Sequence, residues 1–133
     1  MTPKNLRILF RILFFFYLAV VLLLCFGNFG SVPSVPRRLL GIPTDKLVHF
    51  CMFFPFPILS FLSFDRFTES TPRTLLFTGI TLAVGILLAL FTEWGQAYLT
   101  NYRTGDLWDL LADFLALLLS SLIVIFLDIR KQK

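Results

Sequence analysis

Four apolar runs, at roughly Ile8–Phe26, Leu47–Phe64, Thr74–Leu99 and Leu107–Leu127, occupy most of this 133-residue chain. Each is close to the ~20 residues an α-helix needs to cross a hydrocarbon core about 30 Å thick. The pattern predicts an all-α integral membrane protein of one domain over residues 1–133, with four transmembrane helices in a compact bundle. Composition agrees: 57% of residues are hydrophobic and mean hydropathy is +0.83, whereas soluble domains average about 45–50% apolar. Gly27, Gly30, Pro33, Pro36, Gly41 and Pro43 punctuate the stretch between the first two runs and predict an irregular loop there. The other two connections are short.

Lys4, Arg7 and Arg11 precede the apolar Ile12–Phe26, as in a signal peptide, but no A-x-A-like site follows. Leu24 before Cys25 also argues against a lipoprotein site, so the segment reads as an uncleaved first span. Cys25 and Cys51 both fall inside apolar runs, which suits small buried hydrophobes better than a disulfide framework or a metal-ligand pair. The net charge of +4 comes with no basic helix face, so nucleic acid is not an expected partner. The charge reads as topology instead. Eight of the twelve Lys and Arg residues (Lys4, Arg7, Arg11, Arg66, Arg73, Arg130, Lys131 and Lys133) lie on the side of the termini, against Arg37, Arg38, Lys46 and Arg103 on the other. The positive-inside rule then puts both termini in the cytoplasm, in a bacterial cytoplasmic (inner) membrane, with the other face toward the cell envelope.

Ionisable residues inside a membrane segment are costly, and here they gather at one end of three spans. They are Asp45, Lys46 and His49 on the second, Glu93 with Gln96 on the third, and Arg103, Asp106, Asp109 and Asp113 leading into the fourth. At 1.5 Å rise per residue, Glu93 lies ~30 Å from Arg73, Asp109 ~28 Å and Asp113 ~22 Å from Asp128, and His49 ~24 Å from Asp65. All four therefore fall within about two helical turns in height. A 100° step places Asp106, Asp109, Asp113, Ala116 and Ser120 in one sector of roughly 80°, and Gly85, Ala89, Glu93 and Gln96 in another. Asp45 and His49, four apart, share a face, and small residues let such faces approach closely. Gly79 and Ala83 offer the third span a second close-packing face. Taken alone, Asp45, Lys46 and Arg103 read as caps and snorkelling anchors. His49, Glu93, Asp109 and Asp113 need partners in a shared interior and are the candidate catalytic residues, with Asp45, Lys46, Gln96, Arg103 and Asp106 completing a ligand-binding set.

Pro55 and Pro57 should kink the second span. Phe14, Phe15 and Phe16 read as packing, and Trp94, Tyr98, Tyr102 and Trp108 as an interfacial aromatic belt.

The order Asp45-Lys46-x-x-His49-Phe50, Glu93-x-x-Gln96, Arg103-x-x-Asp106-x-x-Asp109 resembles the VanZ-like family of small multi-spanning membrane proteins. The resemblance spans roughly residues 45–120. In that family an Asn usually stands four residues after the last Asp, followed by small Gly residues; this chain has Asp113, then Ala116 and Ser120. The resemblance implies an accessory protein of glycopeptide resistance, since the founding member lowers susceptibility to teicoplanin. It implies no defined chemistry.

Three functions follow as expectations. The leading one is recognition of a cell-envelope head group, either a lipid-linked cell-wall precursor or a glycopeptide, with Lys46 and Arg103 on phosphate or carboxylate. Another is a membrane hydrolase or transferase on a lipid-linked substrate, working by acid/base chemistry or through a divalent metal, although no cofactor is required by any motif. The third is an accessory subunit of a larger membrane protein complex, in which the polar layer serves helix assembly alone.

Overall fold

A computed structural model describes residues 3–28, 36, 38–64, 70–101 and 104–131. These form helices α1 (Pro3–Phe26), α2 (Thr44–Phe53), α3 (Pro55–Phe64), α4 (Thr71–Leu99) and α5 (Leu107–Lys131). A two-residue ladder pairs β1 (Arg38–Leu39) with β2 (Ile42–Pro43). With α2 and α3 taken together as Thr44–Phe64, the chain has four helices long and apolar enough to cross a membrane.

The helices extend beyond the apolar runs by three to five residues at several ends, because Asn5, Asp45, Arg73 and Arg130 continue the helix as polar turns. Pro72 sits in the first turn of α4, where its missing N–H costs no intrahelical bond. Arg130 and Lys131 close α5 and complement the negative end of its dipole. Gly30 and Pro33 of the expected irregular loop lie outside the described residues, and its described part at 38–43 is regular: Leu40 (φ 52°) and Gly41 (φ 81°) make a tight left-handed turn between β1 and β2.

Second-span continuity breaks at Phe54, between α2 and α3, where Pro55 and Pro57 remove the amides that would bond the Cys51 and Phe53 carbonyls. Tyr17 of α1 donates its hydroxyl to the Met52 carbonyl inside this interrupted turn, so a neighbouring helix covers backbone that the prolines disturb.

Packing runs antiparallel along the chain. Near the start of α1, Arg11 Nε donates to the Ser63 carbonyl at 3.1 Å and Ser63 Oγ donates to the Phe10 carbonyl at 2.9 Å. Thr74, at the start of α4, donates to Asp128 at the end of α5. At the opposite end, Gln96 Nε2 of α4 donates to the Cys25 carbonyl of α1 at 3.1 Å.

The interior is narrow. Phe14, Val21, Cys25, Met52, Phe53, Phe56, Ala89, Ala116 and Leu117 form the apolar core, and close contact depends on Gly85, where an added Cβ would meet Leu117 Cδ2 at 2.7 Å and Phe56 Cδ1 at 3.1 Å. Large apolar side chains such as Phe16, Leu23, Leu76 and Phe126 face outward while Ser60, Thr92, Asp113 and Ser120 are buried, the distribution expected of a bundle solvated by lipid. Cys25 is buried as expected, but Cys51 lies on the exposed side of α2. Gly79 also faces outward, with nothing within 4 Å of an added Cβ, so its small-residue face packs on no described helix.

Candidate functional site: a buried histidine among carboxylates

His49 is the only histidine in the chain and is 1% exposed. The first turns of α2 place it one turn inside the bundle, facing the buried stripe of α5. Its Nδ1 lies 3.1 Å and 3.3 Å from the two carboxylate oxygens of Asp113. Glu93 Oε1 of α4 approaches the same nitrogen at 3.7 Å. On the other side of the ring, Nε2 lies 3.8 Å from Asp109 Oδ2. One imidazole thus faces a carboxylate pair with one nitrogen and a third carboxylate with the other.

Lys46, three residues before His49, reaches across to α5 and donates to both Asp106 and Asp109, with Asp45 Oδ2 at 3.5 Å. Its three N–H donors therefore face three carboxylates. The Lys46 ammonium beside Asp106, helped by the Trp108 amide, holds the Asp106 carboxyl below its ordinary range.

Asp106 is the hinge between the loop and α5. Its Oδ1 accepts the Trp108 N–H at 2.9 Å and its carbonyl accepts the Asp109 and Leu110 amides, which caps α5. Its own N–H donates to Glu93 Oε2 at 2.9 Å. Gly105 makes that approach possible: a Cβ there would lie 3.1 Å from Ala97 Cβ and 3.2 Å from the Glu93 carbonyl.

Two atoms of the cluster, His49 Nε2 and Glu93 Oε1, are buried with no hydrogen-bond partner among the described residues. Ligand atoms of His49, Glu93 and Asp113 lie within 4.8 Å of one another, as do those of Asp45, His49 and Asp109. A cluster able to hold a metal ion is thus present. Burial grades inward from Asp45 (side chain 59% exposed) through Asp106 (39%) and Lys46 (21%) to Asp113 (0%).

Of the residues singled out in the sequence, the structure brings together Asp45, Lys46, His49, Glu93, Asp106, Asp109 and Asp113. Gln96 is not among them; it turns from the cluster to bond α1. Arg103 and Tyr102 lie outside the described residues. Trp94, Tyr98 and Trp108 are exposed near the same end. The backbone amide of Asp106 was not legible as a site group, because a contact made by a main-chain N–H leaves no mark on residue identity. Tyr17 was equally silent, since a lone Tyr in an apolar run signals nothing by spacing.

An apolar groove of about 500 Å³ opens between α4 and α5 beside this cluster, lined among others by Ala89, Leu107, Trp108, Leu110 and Leu117. A second, of about 440 Å³, lies between α1 and α2.

The chain is similar to an uncharacterized protein of Schizosaccharomyces pombe, 31% identical over 113 residues, which cover 84% of this chain and 63% of the relative. The chain therefore spans less than two thirds of the length of that relative. No protein-family model and no solved structure matches the chain.

Proposed function

We propose that the chain is a VanZ-like integral membrane protein, with both termini cytoplasmic, whose polar end recognises a cell-envelope head group. The observation that carries this reading is the juxtaposition of a graded polar cluster with an apolar groove. Leu107, Trp108 and Leu110 line the groove while Asp106 and Asp109, interleaved with them in sequence, face the cluster. An amphipathic ligand would seat its chain in the groove and its head group on the rim.

Of the two cations expected to meet phosphate, Lys46 lies among the described residues and Arg103 does not. Lys46 is taken up by Asp45, Asp106 and Asp109, so among the described residues the accessible chemistry of the rim is that of hydrogen-bond acceptors. Such a surface fits hydroxyl and amine groups, as on sugars and peptide stems, better than a bare phosphate. Asp45 and Asp106 would make the contacts, and the buried residues behind them would hold the rim in place.

The His49–Asp113 pair favours a second reading, acid/base hydrolysis or transfer on a lipid-linked substrate, because Asp113 orients one ring nitrogen and leaves the other open. With His49 1% exposed, substrate has no approach in this conformation, and recognition takes precedence.

The test is binding by the full chain in nanodiscs, using teicoplanin and a lipid-free disaccharide-pentapeptide as probes. The reading expects saturable binding of one of them, weakened about tenfold, or about 1.4 kcal/mol, by Asp106→Ala. Absence of binding by both, or equal binding by the variant, overturns it.

A further inference from the structure

We propose that His49 Nδ1, Glu93 Oε1 and an Asp113 carboxylate oxygen hold one divalent transition-metal cation at the centre of the bundle. This goes beyond head-group recognition, because it concerns the interior of the cluster and requires no head group to be bound.

The three side chains come from three helices and are buried to 1%, 8% and 0% exposure. Glu93 Oε1 is an acceptor with no hydrogen-bond partner among the described residues, and it is aimed at two further groups that both accept unless a proton intervenes. Glu93 Oε2 is already satisfied by the Asp106 N–H. That bond fixes which carboxylate oxygen turns inward. An orphaned buried carboxylate oxygen beside a second carboxylate is expensive in a low-dielectric interior, and a cation removes the cost for both at once.

Separation fits the ligand chemistry. Ligands about 2.1 Å from a tetrahedral ion lie about 3.4 Å apart, and the His49 nitrogen is 3.1 Å from Asp113 Oδ1 and 3.7 Å from Glu93 Oε1. One imidazole with two carboxylates is a donor set for Zn²⁺ or Mn²⁺ rather than for Mg²⁺, which prefers oxygen alone. Charge fits as well. Glu93 and Asp113 bring two negative charges, while the third inner carboxylate, Asp109, faces the Lys46 ammonium that it shares with Asp45 and Asp106.

The outer group, Asp45 with His49 and Asp109, is the weaker candidate. Asp45 is exposed and Asp109 is already engaged by Lys46. That engagement has a use if the ion sits on Nδ1. A ligating histidine donates its other N–H to a carboxylate that orients it, and Asp109 Oδ2, 3.8 Å from Nε2, stands where that carboxylate belongs.

The experiment uses the full chain purified in nanodiscs, stripped with chelator and given Zn²⁺ alone at neutral pH. Because the chain has a single histidine, ¹⁵N-histidine NMR reports on His49 without assignment. We expect about one Zn²⁺ retained per chain after dialysis, with Nδ1 metal-bound and Nε2 protonated. Asp109→Asn should weaken Zn²⁺ binding about 10-fold to 100-fold, as loss of an orienting carboxylate does. Glu93→Gln should weaken it further, and Asp45→Asn should change it less than about twofold, since the mutation leaves every proposed ligand in place. The proposal fails if wild type retains no ion, if both ring nitrogens stay protonated in the presence of Zn²⁺, or if Asp45→Asn matches Glu93→Gln. The NMR result on wild type decides even if Glu93→Gln does not fold, and binding of teicoplanin or the disaccharide-pentapeptide plays no part in it.

Discussion

Asp106 and Glu93 are joined main chain to side chain, with the Asp106 N–H donating to Glu93 Oε2 at 2.9 Å. This single bond seats the loop before α5 on the end of α4, and it leaves Asp106 with a carboxylate free to meet Lys46 and to cap its own helix. A loop residue thus coordinates three of the helices that build the site.

The Asp106–Lys46 pair makes stability depend on acid. The folded Asp106 carboxyl is held low, chiefly by its hydrogen bond from Lys46. Its contribution is therefore complete above the ordinary carboxylate value of about 3.9 and is lost as pH falls through the lower folded value. The melting temperature of wild type should exceed that of Asp106→Asn at neutral pH, and the gap should close on acidification below about pH 4. A gap that persists in acid would mean that Asp106 supplies something other than its charge, since asparagine keeps an oxygen able to cap α5.

His49 and Asp113 should behave as a coupled unit. Removing one member of a buried pair leaves the other uncompensated, which costs about 3 kcal/mol or more. Asp113→Leu is expected to destabilise by that order in chemical denaturation of the chain in mixed micelles. His49→Leu combined with Asp113→Leu should cost less than the two singles together by about 1 kcal/mol or more. Strict additivity would show that the 3.1 Å contact contributes nothing of its own.

Much of this architecture is legible in residue identity, and the pattern of what is not is physical. Four spans follow from run length, since hydrocarbon thickness sets helix length. Convergence of His49, Glu93, Asp109 and Asp113 follows from rise and angle, because a straight helix carries its 3.6-residue period faithfully through 20 Å. Asp113, which angular position alone groups with Asp106 and Asp109, turns out to be the nearest partner of His49. Gln96 shares the angular sector of Glu93, yet bonds the Cys25 carbonyl instead. An 80° sector is wide enough to face two neighbours, and only packing decides between them. The Leu40–Gly41 turn leaves no mark in the sequence for a different reason: a leucine at positive φ violates the local preference by which such turns are recognised.

Tyr17 tests whether the kink in the second span is covered as described. Its hydroxyl donates to the Met52 carbonyl from a neighbouring helix, and interhelical hydrogen bonds of this kind are worth about 0.6 kcal/mol on average in membranes. Tyr17→Phe should lower stability by about 1 kcal/mol at most, with no change in helical content. In the same variant, hydrogen exchange at the amides of Met52, Phe53, Phe54 and Phe56 should rise. A larger loss would indicate that the hydroxyl anchors the break at Phe54 rather than merely satisfying it.

Two glycines of α4, Gly79 and Gly85, are six residues apart and have opposite surroundings. A Cβ at Gly85 would lie 2.7 Å from Leu117 Cδ2 and 3.1 Å from Phe56 Cδ1. Leu117 and Phe56 are themselves buried to 0% and 3% exposure, so neither has room to withdraw. Overpacking of this kind costs about 1–3 kcal/mol, and Gly85→Ala should lower the melting temperature accordingly. A Cβ at Gly79 meets nothing within 4 Å, so Gly79→Ala should gain the helix preference of alanine, about 0.5–1 kcal/mol. Combining Gly85→Ala with Leu117→Val should recover part of the loss, because the clash is with the δ-methyls that valine lacks. If Gly79→Ala instead destabilises the chain or changes its oligomeric state, then the outward face of Gly79 and Ala83 is covered by another helix in the membrane. That helix would belong to a second copy or to a larger complex, and size analysis in nanodiscs separates the two.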